Sequence, residues 1–301
     1  MSKIMTPAME RMAKKQAKRK GRKSTPLGDV WRRLRRDKRA MIGLVIFVIL
    51  VIVALFPSLF TSQSFSAQDY KAIHQMPSSA HLFGTDHLGR DIFTRVIYGT
   101  RVSIGIGIAS VAAALIIGGI LGAVAAFYSN KVDNIIMRIM DVLGAIPGTL
   151  LAISIAAVLG RGIVNLILAL GISAVPLFAR IVRANVLTVK SKDYVEAGKC
   201  VGASDPRLIL KHMIPNAMGP IIVQATFGVA SNILMIAGLS YIGLGIAPPT
   251  PEWGGMLSEA KTNIQLFWHP MVFPGIAIFL TSFSLNVLGD GLRDAFDPKL
   301  R

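Results

Sequence analysis

Four side chains between residues 81 and 91, His81, Asp86, His87 and Asp91, have the donor chemistry to hold a divalent metal ion. Their spacing matches no established ligand motif. Both aspartates also suit backbone roles, Asp86 in a turn with Gly89 and Asp91 as the cap of a short helix through Tyr98. No metal is therefore expected. A phosphate-cradling G-x-x-x-x-G-K-[ST] loop is absent, since Gly198-Lys199 has Asp193 at the first glycine position and Cys200 where Ser or Thr should stand. Gly105-Ile106-Gly107 begins like a dinucleotide fingerprint, but no strand precedes it and it lies in an apolar run. Cys200 is the single cysteine and has no disulfide partner in the chain. No catalytic constellation remains, so the chain is expected to be neither an enzyme nor the holder of a cofactor.

The polar residues left inside apolar stretches point to a passage rather than a reaction. Asn165, Gln224, Asn232, Ser282 and Asn286 could pass a polar solute, although such residues also serve as interhelical hydrogen-bonding glue. Ion-coupled carriers keep Asp, Glu, His or Arg within the membrane because a costly buried ion is retained for a purpose. Here Arg138 and Asp141 lie near one end of a span, and the centres of the other spans hold only Ser, Thr, Asn and Gln. A secondary carrier is disfavoured on that ground and by the lack of evident inverted repeats.

Those polar residues need elements to carry them. The 301 residues are 52% hydrophobic and 16% charged, which excludes an ordinary soluble domain. Six stretches are apolar enough to span a bilayer: Met41–Phe60, Val102–Phe127, Ile135–Leu159, Ile163–Ala179, Gly219–Tyr241 and Met271–Leu288. The fold expected is all-α and membrane-embedded. Ser103, Gly107, Gly118 and Gly122 recur at spacings that allow helices to approach closely. The first stretch is expected to be a retained anchor, because a 40-residue charged leader is too long for a signal peptide and no convincing cleavage site follows Phe60.

Charge sets the orientation. Residues 1–40 hold 15 Lys/Arg against three Asp/Glu, and the rest of the chain holds 18 against 13. With the N-terminus inside, 27 Lys/Arg fall in cytoplasmic segments and 6 outside, so both termini are expected in the cytoplasm. The run Lys14 to Lys23 lacks periodicity and is expected to be disordered. Val30, Trp31, Leu34 and Met41 fall near helical spacing with six cations between them, which suits a helix lying on an anionic leaflet. A solvated charge run that only sets topology explains the same residues, and nucleic acid is not expected as a partner because no stacking platform is present.

The stretch 183–215 is too charged to insert and carries two short helices. Tyr194, Gly198 and Val201 share a face of the first, Gly202 is placed to end it in the left-handed conformation, and Ser204 or Asp205 can cap the second. Leu208, Ile209 and Met213 give the second helix an apolar side, Pro206 suits its first turn, and Pro215 is expected to stop it. Two helices set at an angle by one glycine make a rigid knob. Glu196-Ala197-Gly198, then Gly202, then His212-Met213-Ile214-Pro215 resembles the E-A-A-x3-G-x9-I-x-L-P loop of permeases from binding-protein-dependent ABC importers, departing from it at Gly198, His212 and Ile214. The resemblance implies that Glu196, Ala197, Gly198, Gly202, Ser204, Asp205 and Pro215 belong to a knob seated in a groove of an ATPase subunit, with Glu196 facing a basic group there.

A second resemblance covers Gly84, Asp86, Gly89, Arg90, Asp91, Arg95 and Ser103, which follow the G-T-D-x-x-G-R-D-x-x-S-R-x-x-x-G-x-R-x-S signature of C-type permeases in dipeptide, oligopeptide and nickel importers, with Thr94 in place of Ser. Residues 248–257, containing Trp253, and 289–294 resemble the same subfamily. By their own chemistry Arg95 and Arg101 could anchor a helix at headgroups, and Trp253 could be an interface aromatic or a contact for a docked binding protein. The family implies six spans in the type I importer permease fold. It also implies the division into a basic tail with a candidate interfacial helix (1–40), a first span (41–60), an extracytoplasmic loop (61–101), a five-helix core (102–290) containing the coupling loop 183–215, and a cytoplasmic tail (291–301). The implied partners are a second permease chain, two ATP-binding subunits carrying ATP and Mg, a solute-binding protein and membrane lipid, in a prokaryotic cytoplasmic membrane. Dipeptides or oligopeptides are the implied cargo, with glutathione or nickel as alternatives.

Overall fold

The computed structural model describes residues 26–128 and 130–297. Among them all regular structure is helical, apart from an isolated β-bridge between Thr85 and Asp91. The Lys14 to Lys23 run and the last cations, Lys299 and Arg301, lie outside the described residues.

The first helix, α1 (Pro26–Leu34), does carry the basic periodic segment, but it ends before Met41. A turn follows, and Asp37 Oδ1 accepts the Arg39 and Ala40 N–H groups to start α2 (Lys38–Leu55). Trp31 is exposed, whereas Leu34 is buried with Ala40 against Leu288 and Ala295. One face of α1 is thus held by protein rather than by a leaflet.

A 37-residue helix, α3 (Ile92–Tyr128), contains the second span. The expected short helix from Asp91 through Tyr98 is its first two turns, continuous with the membrane segment, because nothing between Tyr98 and Val102 breaks the pattern. The third span departs further from expectation. Ile135–Leu159 is not one helix but α4 (Asn130–Ala145) and α5 (Gly148–Leu159), bent by 83° at Ile146-Pro147, where proline supplies no N–H to continue the ladder. After α6 (Ile163–Lys190) and the short α7 (Asp193–Cys200), α8 runs from Asp205 to Tyr241. Pro215 does not stop it. The turn Leu208–Met213 is π-helical, and this widening just ahead of Pro215 lets the helix run on past a residue that has no N–H. The last helices are α9 (Trp253–Ala260) and α10 (His269–Phe296). Among the described residues, five helices are long and apolar enough to cross a membrane, or six if the bent α4–α5 pair is one broken span.

Lipid tails are as apolar as leucine, so close packing rather than hydrophobic exclusion holds spans together. The α3–α6 contact shows this. A Cβ on Gly118 would stand 2.7 Å from the Val175 carbonyl oxygen and 2.9 Å from the Ala179 nitrogen, so the two backbones touch. Phe178, fully buried beside this crossing, joins a core with Val111, Ile233 and Leu285. α10 packs on α8 and α2, and α5 packs on α6 at the other edge of the bundle. Loops 56–91 and 242–268 gather at one end, the loop end; α1 and 190–213 gather at the other, the knob end.

Candidate functional site

At the knob end the expected corner forms. Gly202 has φ 77°, its N–H donates to the Lys199 carbonyl at 3.0 Å, and the Ala203 N–H reaches back to Gly198 at 3.1 Å. These two bonds are the Schellman closure of α7, which needs a residue in the left-handed conformation. Ser204 then takes the N-cap position of α8 without a side-chain bond, and Pro206 sits in its first turn.

The apolar face of α7 is not the expected one. Val195 is fully buried, whereas Tyr194 is exposed and Val201 is 83% exposed. Val195 packs with Leu208, Met213, Val186 and Phe127, so the base of the knob is welded to the ends of α3 and α6. Lys190 Nζ donates to the Ala126 and Phe127 carbonyls at 3.0 and 2.7 Å, placing a cation at the negative end of α3. Lys199 Nζ lies 5.8 Å from the Phe127 ring centre. Glu196, Ala197, Asp205 and Pro215 point into solvent together with Leu210. The knob therefore has a fixed base and an exposed crown of mixed polarity.

The loop end holds a different device. Asp86 Oδ1 accepts N–H bonds from Leu88 and Arg90 at 2.8 and 3.0 Å, which closes the turn containing Gly89 at φ 70°. Asp86 Oδ2 accepts Arg90 Nε at 2.6 Å. The far arm of Arg90 reaches Glu259 Oε2 at 2.6 Å, and Arg95 donates to the same oxygen at 3.1 Å. Both guanidiniums are buried, two cations against two anions. Arg95 is thus a cluster member and not a headgroup anchor, because its side chain turns inward from the first turn of α3. Asp86, His87 and Glu259 come close enough together to suggest a metal site, but both carboxylates are already spent on the guanidiniums. Asp91 caps α3 through the Thr94 N–H at 2.8 Å and faces His81 Nδ1 at 3.0 Å.

Trp253 is fully buried and meets neither a headgroup nor solvent; its indole N–H donates to the Val96 carbonyl at 3.1 Å. Beside it Glu252 caps α9, accepting the Gly254 and Gly255 N–H groups at 2.8 Å each, with Ser103 Oγ donating at 3.3 Å. Burial holds the Glu252 carboxyl above its ordinary range, and the hydrogen bonds it accepts offset only part of that rise. The motif stretches 84–103 and 248–257, far apart in sequence, are one body built on the start of α3.

Most of the polar residues expected along a pathway hydrogen-bond to neighbouring helix groups. Asn165 donates to the Leu159 and Gly160 carbonyls and ties α5 to α6, Asn286 bonds back to Ser282, and Asn232 crosses to Ser110 at 2.8 Å. Gln224 is half-buried on α8. Most of these bonds are internal glue. Sequence reasoning missed Glu252, Glu259 and the pairing of Asp133 with Arg183, whose two arms meet the carboxylate at 2.5 Å each. Their partners lie 50 to 169 residues away, so no local period signals them.

Residues 114–301 match the family model of the binding-protein-dependent transport system inner membrane component, and residues 25–77 match the N-terminal transmembrane domain of oligopeptide transport permease C. A dipeptide transport system permease of Alkalihalophilus pseudofirmus is 42% identical over 277 residues, covering 92% of this chain and 91% of that one. A glutathione transport system permease of Pectobacterium atrosepticum is 43% identical over 278 residues, 92% of each chain. One of Escherichia coli is 44% identical over 280 residues with the same coverage. Among solved structures, a chain of the inward-facing methionine ABC transporter MetNI aligns with TM-score 0.55 at 16% identity, over 67% of this chain and 97% of that one, which speaks to the fold alone.

Proposed function

The chain belongs to the family of inner-membrane components of binding-protein-dependent transport systems, and on that premise we propose that it forms half of the translocation pathway of an ATP-driven importer of short peptides. It is a multi-pass protein of the inner membrane. Relatives named for dipeptide and glutathione transport support a peptide cargo; glutathione, itself a tripeptide, is the second reading.

The observation that carries the mechanism is the knob, with its buried base on α3 and α6 and its exposed crown of Tyr194, Glu196, Val201 and Leu210. In this reading two ATP-binding subunits, holding ATP and Mg, close on one another and push the crown. The base passes that push to α3, α6 and α8. A second permease chain completes the pathway, and a binding protein delivers peptide to the loop end. The 27 to 6 distribution of Lys/Arg supports a cytoplasmic knob and cytoplasmic termini. This chain contributes no catalytic group and no cofactor.

The test is uptake of labelled dipeptide and glutathione into proteoliposomes holding the complete complex. Uptake should require ATP and the ATP-binding subunits. Uptake driven by a proton or sodium gradient without ATP would overturn the reading.

A further inference from the structure

The α4–α5 break lies where lipid cannot cover it. Ile146 and Pro147 separate the helices, no side chain caps the first turn of α5, and residues 144–150 are all exposed on the chain. A Cβ on Gly148 would lie 3.9 Å from the Ser173 carbonyl oxygen, which places the break level with the middle of α6. Ser173 is ten residues into α6, roughly 15 Å, which is about half the thickness of the hydrocarbon layer. Irregular backbone at that depth leaves polar groups without partners, and it is tolerated only against protein or water.

A second observation falls on the same face. Asp141 of α4 and Arg180 of α6 pair at 3.1 Å with side chains 58% and 48% exposed. Arg180 is seven residues beyond Ser173, about 10 Å nearer the knob. An ion pair open to hydrocarbon is costly, so this pair, with Arg180 just past the apolar stretch Ile163–Ala179, marks the knob-side mouth of a wet face. The face belongs to α4, α5 and α6, at the edge of the bundle away from α2 and α10.

We infer that the α4–α5 break and the Asp141–Arg180 pair line a water-filled passage through which the cargo crosses. Its assignment to peptide rests on the proposed function; the presence of water there does not. Ile146 and Leu150 are exposed beside the break and give the passage an apolar wall there, and the ion pair presents both charge signs to a zwitterionic peptide on the knob side. The polar residues of α8 and α10 are left as packing groups.

Cysteines at Ile146 and Thr149, and at the exposed Phe279 of α10 for comparison, can be placed singly in a Cys200→Ser chain within the whole complex in membrane vesicles. A charged, water-soluble thiol reagent should modify 146 and 149 at least about tenfold faster than 279, and saturating dipeptide should slow both, as a water-lined passage requires. Reaction of 146 and 149 only with a membrane-dissolved maleimide would put the face in lipid and overturn the inference. Reaction with neither reagent would put it in a dry seam between chains, which also overturns it. If water reaches both positions but the unmodified complex shows no ATP-driven peptide uptake, the passage stands and the proposed function fails.

Discussion

Arg90 and Glu259, 169 residues apart, meet at 2.6 Å in the buried cluster that joins the start of α3 to α9. Arg90 spans the two carboxylates, Nε on Asp86 and NH2 on Glu259, so the cluster is neutral only while all four members are present. The net worth of a buried ion pair is small, but removing one partner strands the other charge.

Glu259→Gln is therefore expected to cost about 3 kcal/mol and to lower the thermal midpoint of the purified complex in detergent. Arg90→Lys should cost nearly as much, because one ammonium does not reproduce two arms aimed at separate carboxylates. A midpoint unchanged in both variants would show that the loop end is held by Trp253 and its neighbours instead.

At the α3–α6 crossing, Gly118 and Gly119 make a matched pair. A Cβ at 118 meets backbone that cannot yield, whereas one at 119 meets nothing within 4 Å. Gly118→Val is expected to cost about 1–3 kcal/mol through overpacking and to lower the amount of assembled complex, with Gly119→Val near normal. Equal assembly, read by co-purification, would remove the crossing from the stability of the bundle.

His74 gives the loop end a pH dependence. Burial, then the nearby His87 and His269, hold its pKa below the ordinary 6.5. A lowered folded-state value means that the stabilisation is present above the unfolded pKa and is lost as pH falls through the folded one. Proteolysis of segment 56–91 should accordingly quicken between pH 7.5 and pH 5.5. His74→Gln should flatten that profile, since an amide on the Phe267 ring takes up no proton there.

The spans were legible because a run of 20 apolar residues needs no tertiary information. The break at Pro147 also has a local signal, a proline that supplies no N–H to the helix, but Ile135–Leu159 passes for one span on apolar length alone. Gly118 and Gly122 announced a close crossing by spacing alone, and Gly202 announced a helix end. Arg95 and Trp253 were misread because their residue types suit an interface, and only the return of α9 to α3 decides that they face inward. Gly202 was readable from its own backbone, whereas Pro147 and Pro215, equally local, exchange the break and the continuation expected of them, and Arg95 and Trp253 depend on a distant partner.

Gly202 separates strain from crowding more cleanly than any other position in the knob. Its φ of 77° lies in the region that residues with a Cβ disfavour, yet a Cβ there would meet nothing within 4 Å. Any effect of substitution is then a backbone effect. Gly202→Val places a β-branched residue in the left-handed conformation at a cost of about 1–2 kcal/mol. That cost weakens the Schellman bonds to Lys199 and Gly198, so the angle between α7 and α8 is lost and the crown of Glu196 and Val201 moves relative to its base. The base should survive, because Val195, Leu208 and Met213 remain buried against α3 and α6. The expected phenotype is normal assembly of the spans with several-fold weaker co-purification of the ATP-binding subunits or hydrolysis no longer stimulated by peptide. Gly202→Asn, which tolerates positive φ, should fall between Gly202→Val and the unmodified chain. Full peptide-stimulated hydrolysis in Gly202→Val would show that the corner does not transmit the stroke.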